Sequence, residues 1–400
     1  MQTFLLLCSA AKVGFTAQAA AGKAGGFLAK DWCVGAVHDL AQCSFELHAE
    51  LAAEFGAAHV GYRRVTTTSV STQARATAAP GNSSKTYDGV PSWLGSPDSG
   101  VLPCGSGPLG TPSTTAQVHP ARLTAALAEH ATQCGCSIIE AQVLSVHRNP
   151  MSTGAGAPPS YTIHTAGGGQ HGPYTDIVLG MGAWIEQANT WLPGVVPAGW
   201  RNVKVHSVIL QGGAPSVTKG GQGGAASPPK GVDATPSDSA FPPVMLFVHD
   251  GVQGLEPEVY PRPCGEVYTC DISSDTPVPD TPSAVVPDAG ACEQLEAFLR
   301  GLGGGMSSAG AFPLKAAQAC YLPYSPDERP IVGPSHRHPG VYIGAGHSCW
   351  GILLGPATGL LLAHQILGLP VDFLPAGAVA ALAPRHGAED GEGGGDDAQK

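Results

Sequence analysis

The stretch Cys320–Leu369, CYLPYSPDERPIVGPSHRHPGVYIGAGHSCWGILLGPATGLLLAHQILGL, limits what this chain can become more than any other segment. An extended, proline-punctuated arm leads into a short apolar strand (Val341, Tyr342, Ile343), a turn from Gly344 to Gly351, and an apolar helix. A strand that feeds a helix through a glycine turn is a ligand-binding device, because the N–H groups opening a helix have no partner within it. Gly344, Gly346, Gly351 and Gly355 carry no Cβ, so their backbone can approach a planar ligand closely. Pro356 falls near the helix start, where a missing N–H does least harm, and Leu360, Leu361, Ile366 and Leu367 supply the expected buried face. The helix dipole then favours negative charge over the turn.

Gly346-His347, followed by Gly351-Ile352-Leu353-Leu354-Gly355-Pro356-Ala357-Thr358-Gly359, stands downstream of Ser325-Pro326-Asp327 and Pro330-Ile331-Val332-Gly333. This ordered string closely resembles the C-terminal flavin segment of the D-amino-acid oxidase and glycine oxidase superfamily. The resemblance implies an α/β (α+β) fold with a Rossmann-like FAD/NAD(P)-binding domain and an antiparallel-sheet substrate domain. It implies FAD as cofactor and transfer of hydride from a small amine or amino-acid-like substrate to flavin N5. Cofactor contacts then fall on Gly346, His347, Gly351, Ile352 and Leu353 at the pyrimidine edge of the ring. The AGKAGG segment resembles a second flavin loop, which assigns Lys23, Ala24, Gly25 and Gly26 to the cofactor; Ala21 stands where many relatives have Ser. Val143 is matched to a backbone contact near the adenine, and Gly182, in a run similar to the strand closing the nucleotide sheet, to the dinucleotide. The residues alone leave AGKAGG open as a flexible linker and Val143 as a plain strand residue.

Oxidases of this superfamily clamp a substrate carboxylate with arginines, yet the two positions that carry Arg in glycine oxidase are Leu322 and Cys349 here. Arg329 and Arg262 remain as anion partners, or as surface cations pairing with Asp327 and Glu266. His347 and Arg329 are the catalytic candidates; His347 and Trp350 flank the expected ring, as cap and stacking lid or in proton transfer. A flavin fold of this class opens with an apolar strand, a GxGxxG turn and a helix, and nothing before Lys23 matches that unit. The expectation is therefore an N-terminally truncated Rossmann-like domain, its first βα unit absent, from an incomplete gene model. A catalytically impaired flavoprotein-like scaffold acting through protein partners is the alternative. A NAD-dependent dehydrogenase is disfavoured, since the C-terminal motif is of flavin type.

The expected FAD-binding domain is discontinuous, over 1–56, 118–195 and 321–383, and the substrate domain covers 57–117 and 196–320. Val203 to Cys270 alternates as antiparallel strands, and a strand is expected through Ile138, Ile139, Val143 and Val146. Segments 71–113 and 211–242, rich in Ser, Thr, Gly and Pro, read as disordered insertions, and 384–400 as an acidic tail. A net charge of −11 without any Lys/Arg cluster argues against nucleic acid. Eleven scattered cysteines with no CxxC suit a reducing, cytoplasmic compartment, and fifteen histidines show no metal-ligand spacing, so no metal is expected. A short apolar run at the N-terminus leaves organelle targeting as the other localisation. No stretch is read as a membrane span, the partner expected is a small-molecule substrate, and oligomeric state is not legible.

Overall fold

Three apolar runs far apart in the chain come together as a parallel sheet: β1 (Phe4–Cys8), β10 (Asp176–Gly180) and β17 (Val341–Ala345), with β16 (Ile331–Pro334) antiparallel at the edge. The computed structural model describes residues 4–8, 19–72, 94, 101–104, 107–150, 159–212, 241–303, 306 and 310–385. Ile177, Leu179, Val341 and Ile343 are fully buried, as expected for parallel strands covered on both faces. The sequence reading placed no strand ahead of Lys23; FLLLC forms one, with Phe4 opposite Asp176 and Cys8 opposite Gly180. Five apolar residues without alternation read equally as a leader segment, and only pairing with a strand some 170 residues away, as the register records, decides between the two. Residues 9–18, where a phosphate turn would follow, lie outside the described residues.

The larger sheet runs β15 (Leu314–Tyr324), β11 (Arg201–Gln211), β14 (Glu266–Ser274), β13 (Glu258–Pro261), β12 (Val244–Asp250), β4 (Thr66–Thr72), β5 (Val101–Pro103). Its pairs are antiparallel except β4 with β12. Period-2 alternation sorts its side chains. Val208, Leu210, Leu246, Val248, Val259 and Val267 meet Leu295, Phe298 and Leu299 of α5 (Ala289–Gly301), whose first turn is capped by Asp288 accepting from the Ala291 N–H at 2.8 Å. Ile209, Met245, Tyr260 and Tyr268 point the other way. The expected insertions are shorter than read: β5 and buried Leu94 fall inside 71–113, and Phe241, inside 211–242, is buried. The remainder, 73–93 and 213–240 chiefly, lies outside the described residues.

Two small sheets complete the strands: β2 (Phe27–Ala29), β6 (Thr115–Gln117) and β3 (Arg63–Arg64), and β7 (Val143–Arg148), β8 (Tyr161–Thr165) and β9 (Gln170–Tyr174). The strand expected from Ile138 begins only at Val143, and Ile138 and Ile139 are exposed. The helices are α1 (Ala20–Lys23), α2 (His38–Phe55), α3 (Ala57–Val60), α4 (Pro120–Gln133), α6 (Gly351–Leu367) and α7 (Ala376–Leu382). Leu40, Ala41 and Phe45 of α2 pack on Leu353, Leu354, Ala357 and Leu361 of α6. Of the face expected, Leu361 is buried, but Leu367 is exposed and Leu360 and Ile366 are only half-buried. Ser348–Leu367 is also long and apolar enough, by length and composition, to cross a membrane, which corrects the sequence reading. Here its apolar side is spent on α2 and the parallel sheet.

Gly26 ties these parts together. Its φ is +91°, and a Cβ there would overlap the Val118 carbonyl oxygen, whose own N–H donates to the Gly26 carbonyl at 2.9 Å. Gly26→Ala is expected to destabilise the protein by roughly 3 kcal/mol or more, from a left-handed backbone and a clash that only main-chain movement relieves. A urea unfolding midpoint within error of the parent would overturn this.

Candidate active site

The site begins at the carboxyl ends of the parallel strands, the end where open α/β sheets bind ligands. Leu179 pairs with Ile343, so Gly182 (φ +54°) and Gly346 (φ +82°) leave the sheet on the same side. A Cβ at Gly346 would lie 3.2 Å from the Trp200 ring, and Ser348, a non-glycine residue, takes φ +49°. The chain thus bends sharply through the 3₁₀ turn Ser348–Trp350 into α6. Among the described residues no side chain caps that helix, and no acid lies in its first turn, so its leading N–H groups are left for a ligand. Gly351 is exposed with ordinary helical φ of −55°, and a Cβ there would meet only His347 Cβ at 3.8 Å. The protein's own packing gives no reason for glycine at this position.

Pro356 lies inside α6, so the Ile352 carbonyl loses its N–H donor four residues on. His48 of α2 replaces it, its Nε2–H donating to Ile352 O at 2.9 Å, and the Ala357 N–H donates to Ser44 Oγ at 3.1 Å. Burial lowers the His48 pKa to about 4. His347 shares a hydrogen bond with Thr358 Oγ1 at 2.9 Å, and burial lowers its pKa to about 4 as well. A neutral imidazole tied to the helix holds the turn in place.

The loop Lys23–Gly26 is bolted to the larger sheet. Lys23 Nζ donates to Ala319 O at 3.0 Å, and Gln318 Nε2 to Lys23 O at 2.8 Å. Arg262 Nη2 donates to Ala24 O (3.1 Å) and Gly25 O (3.2 Å), while a Cβ at Gly25 would overlap the Tyr260 ring. Arg262, read from sequence as an anion partner or a surface cation pairing with Glu266, does pair with Glu266 at 2.7 Å, but it is buried. Glu266 also takes Lys315 Nζ and His119 Nε2, the latter at 3.3 Å. Burial alone would raise its pKa, but the hydrogen bonds from His119 and Lys315 and the Arg262 charge hold it well below the usual carboxylate range. His119, Cys264 and Glu266 offer ligand atoms within 4.8 Å of one another, a cluster no sequence spacing could show. Two cations already occupy the Glu266 carboxylate, and a metal ion there would face both.

Opposite the α6 turn stands an aromatic face. Phe247 of β12 is directly across from Glu258 of β13, and Glu258 from Cys270 of β14, so the three share one side of the sheet. Phe27 lies 5.0 Å from Trp32, 5.5 Å from Phe247 and 5.8 Å from Tyr260, and Trp32 is 6.5 Å from Trp350, edge to face. Trp350 immediately precedes α6, which closes the circuit. Arg329, a catalytic candidate, is not brought here, and Val143, matched to the adenine end rather than the ring, lies elsewhere too. Val143 sits on β7 against the core around Tyr161 and Ile163. Arg329 pairs with Asp327 at 2.9 Å on an exposed turn, where Asp327 also contacts Arg385.

The profile of the FAD-dependent oxidoreductase family called DAO matches residues 6–365. The chain belongs to this family. Its members are flavoproteins that use FAD, and the chain is an FAD-dependent oxidoreductase by membership. It is 27% identical over 368 residues to the Schizosaccharomyces pombe protein named "Putative oxidoreductase C1F5.03c", covering 88% of this chain and 84% of that protein. Among solved structures it is similar to glycine oxidase from Geobacillus kaustophilus, with a TM-score of 0.65, 17% identity, and 96% and 92% of the two chains covered. Iminodiacetate oxidase from Chelativorans sp. BNC1 follows with a TM-score of 0.60, 16% identity, and coverage of 96% and 93%. These likenesses establish the DAO fold, with its Rossmann-like and antiparallel parts.

Proposed function

We propose that this DAO-family chain oxidises a carbon–nitrogen bond of a small amine or amino-acid-like substrate, with the flavin ring over the α6 turn and the substrate between that ring and the aromatic face. The observation that carries the reading is the uncapped, acid-free start of α6, with Gly351 exposed although nothing in the protein requires glycine there. In this reading Gly346, Gly351, Ile352 and Leu353 present backbone to the ring, and Lys23 to Gly26 present theirs beside it. FAD, when bound, supplies a two-electron sink that takes hydride from the carbon bearing nitrogen while the nitrogen gives up a proton, leaving an imine that water hydrolyses. His347 fixes the turn through Thr358, and Phe27, Trp32, Phe247 and Trp350 exclude water from the substrate side. No GxGxxG run precedes Lys23, so the reading assigns no residue to the phosphates.

The test is purification of the full chain, with absorbance between 300 and 500 nm and anaerobic mixing with amines and amino acids. A visible flavin band that bleaches on mixing is the expected result. A colourless protein that takes up no added FAD would sink the proposal and leave the scaffold reading.

A further inference from the structure

Glu258 is a carboxylate set among rings. Its Oε2 accepts from the Tyr260 hydroxyl and from Cys270 Sγ at 3.7 Å, and Oε1 accepts from none of the described residues. Phe247 lies directly across the strand from it, with the Phe247 ring 5.2 Å from Trp32 and 6.2 Å from Tyr260. Phe27, Trp32, Phe247 and Trp350 are each only half-buried, so their faces are not fully spent on the core. Burial raises the pKa of the Cys349 thiol at the mouth of α6, and the Glu258 charge adds to the rise, while Trp32 beside Phe247 also meets Trp350. Carboxylate and rings therefore border the same space as the proposed flavin turn.

Among the described residues, the cations tied to the Lys23–Gly26 loop, Arg262 and Lys23, are committed elsewhere. Arg262 serves Glu266 and the carbonyls of Ala24 and Gly25, and Lys23 serves Ala319 O. A carboxylate brought beside Glu258 would meet a like charge at low dielectric, whereas an ammonium would meet a counter-ion and several ring faces. We infer that this face selects a cationic amine that carries no carboxylate, held by Glu258 and by the rings of Phe27, Trp32, Phe247 and Trp350. The inference rests on the oxidase reading above and narrows its substrate.

The proton balance is consistent. An ammonium holds no lone pair to stabilise loss of hydride from its neighbouring carbon, so it must first release a proton. Glu258 is placed to take it, giving a free amine and a neutral carboxyl. Burial, its largest influence, raises the Glu258 pKa, with the Tyr260 and Cys270 hydrogen bonds opposing and Asp271 adding to the rise. The carboxylate is thereby a stronger base than an exposed one, which suits it to accept the proton.

Isothermal titration calorimetry on the full chain, with N-methylbenzylammonium, N-benzylglycine and benzyl alcohol as probes, tests this. The ammonium should bind at least tenfold more tightly than either of the others. Glu258→Gln, which keeps an acceptor for Tyr260, should cut ammonium affinity at least tenfold without weakening N-benzylglycine. Trp350→Leu gives an independent check and should weaken the ammonium alone. N-benzylglycine binding as tightly as the ammonium, no binding of the ammonium, or Glu258→Gln within twofold of the parent would each overturn the inference. Flavin content is read by absorbance on the same samples. Flavin retained without a preference for the ammonium sinks the substrate class and spares the oxidase reading, while ammonium preference without any flavin does the reverse.

Discussion

Gly351→Ala yields a protein that melts higher and retains less flavin. The first half follows from the helix: Gly351 has φ −55°, is exposed, and offers a new methyl only His347 Cβ at 3.8 Å. Alanine in place of glycine at such a position stabilises by about 0.5–1 kcal/mol, through the unfolded chain as much as the folded one. For a domain of this size that raises Tm by roughly 1–3 °C. The second half follows from the ligand: a methyl on the first residue of α6 separates a planar ring from the N–H groups that would face it. Forcing a methyl into such a contact costs about 1–3 kcal/mol, roughly tenfold to a hundredfold in flavin affinity. Gly359→Ala is the control, two turns along, exposed and with open space around its Cβ; it should gain stability and keep its flavin. Differential scanning calorimetry and the absorbance ratio of flavin to protein read both effects. Flavin occupancy equal in Gly351→Ala and Gly359→Ala removes the α6 turn from the cofactor site.

Elements set by local pattern were legible in the sequence. Val244, Leu246 and Val248, within the run that alternates from Val203 to Cys270, form β12. The glycine turn before α6 was legible because several unlike residues stand in fixed order across it. What the sequence hid depends on pairing between distant segments. Glu258 is one of two acids in Glu256-Pro257-Glu258 with nothing local to single it out until β12 and β14 place Phe247 and Cys270 beside it. Arg262, flanked by two prolines, was legible as a partner of Glu266, but its burial was not, nor were Lys315 and His119, which β15 and the start of α4 bring to the same carboxylate. FLLLC lacked any local sign of its partner, and Ile138 and Ile139 were apolar without a strand to join. Apolar character states that burial is favourable; the partner strand decides where.

The hydrogen bond from His48 to the Ile352 carbonyl, which Pro356 leaves unpaired, carries the other large effect. Pro356 leaves Ile352 O without its helical donor, and His48 Nε2–H fills the gap at 2.9 Å from a side chain that is almost wholly buried. His48→Ala strands that carbonyl and opens a cavity, a loss of roughly 2–4 kcal/mol. Pro356→Ala restores an N–H to Ile352 O, so the two changes are coupled: His48→Ala should cost about 1–2 kcal/mol less in the Pro356→Ala background. The same histidine sets an acid limb. Its folded pKa of about 4 lies below the unfolded value near 6.5, so between those values the unfolded chain binds the extra proton. Stability is therefore full above pH 6.5 and falls as pH drops toward 4, by roughly 3 kcal/mol from this residue. His347, also lowered to about 4, adds a limb of the same sign and window. Urea midpoints at pH 7.5 and pH 5 for the parent, both single variants and the double variant read coupling and slope together. Additive costs, or a His48→Ala protein whose stability falls with acid as steeply as the parent's, would show that the imidazole does not complete α6.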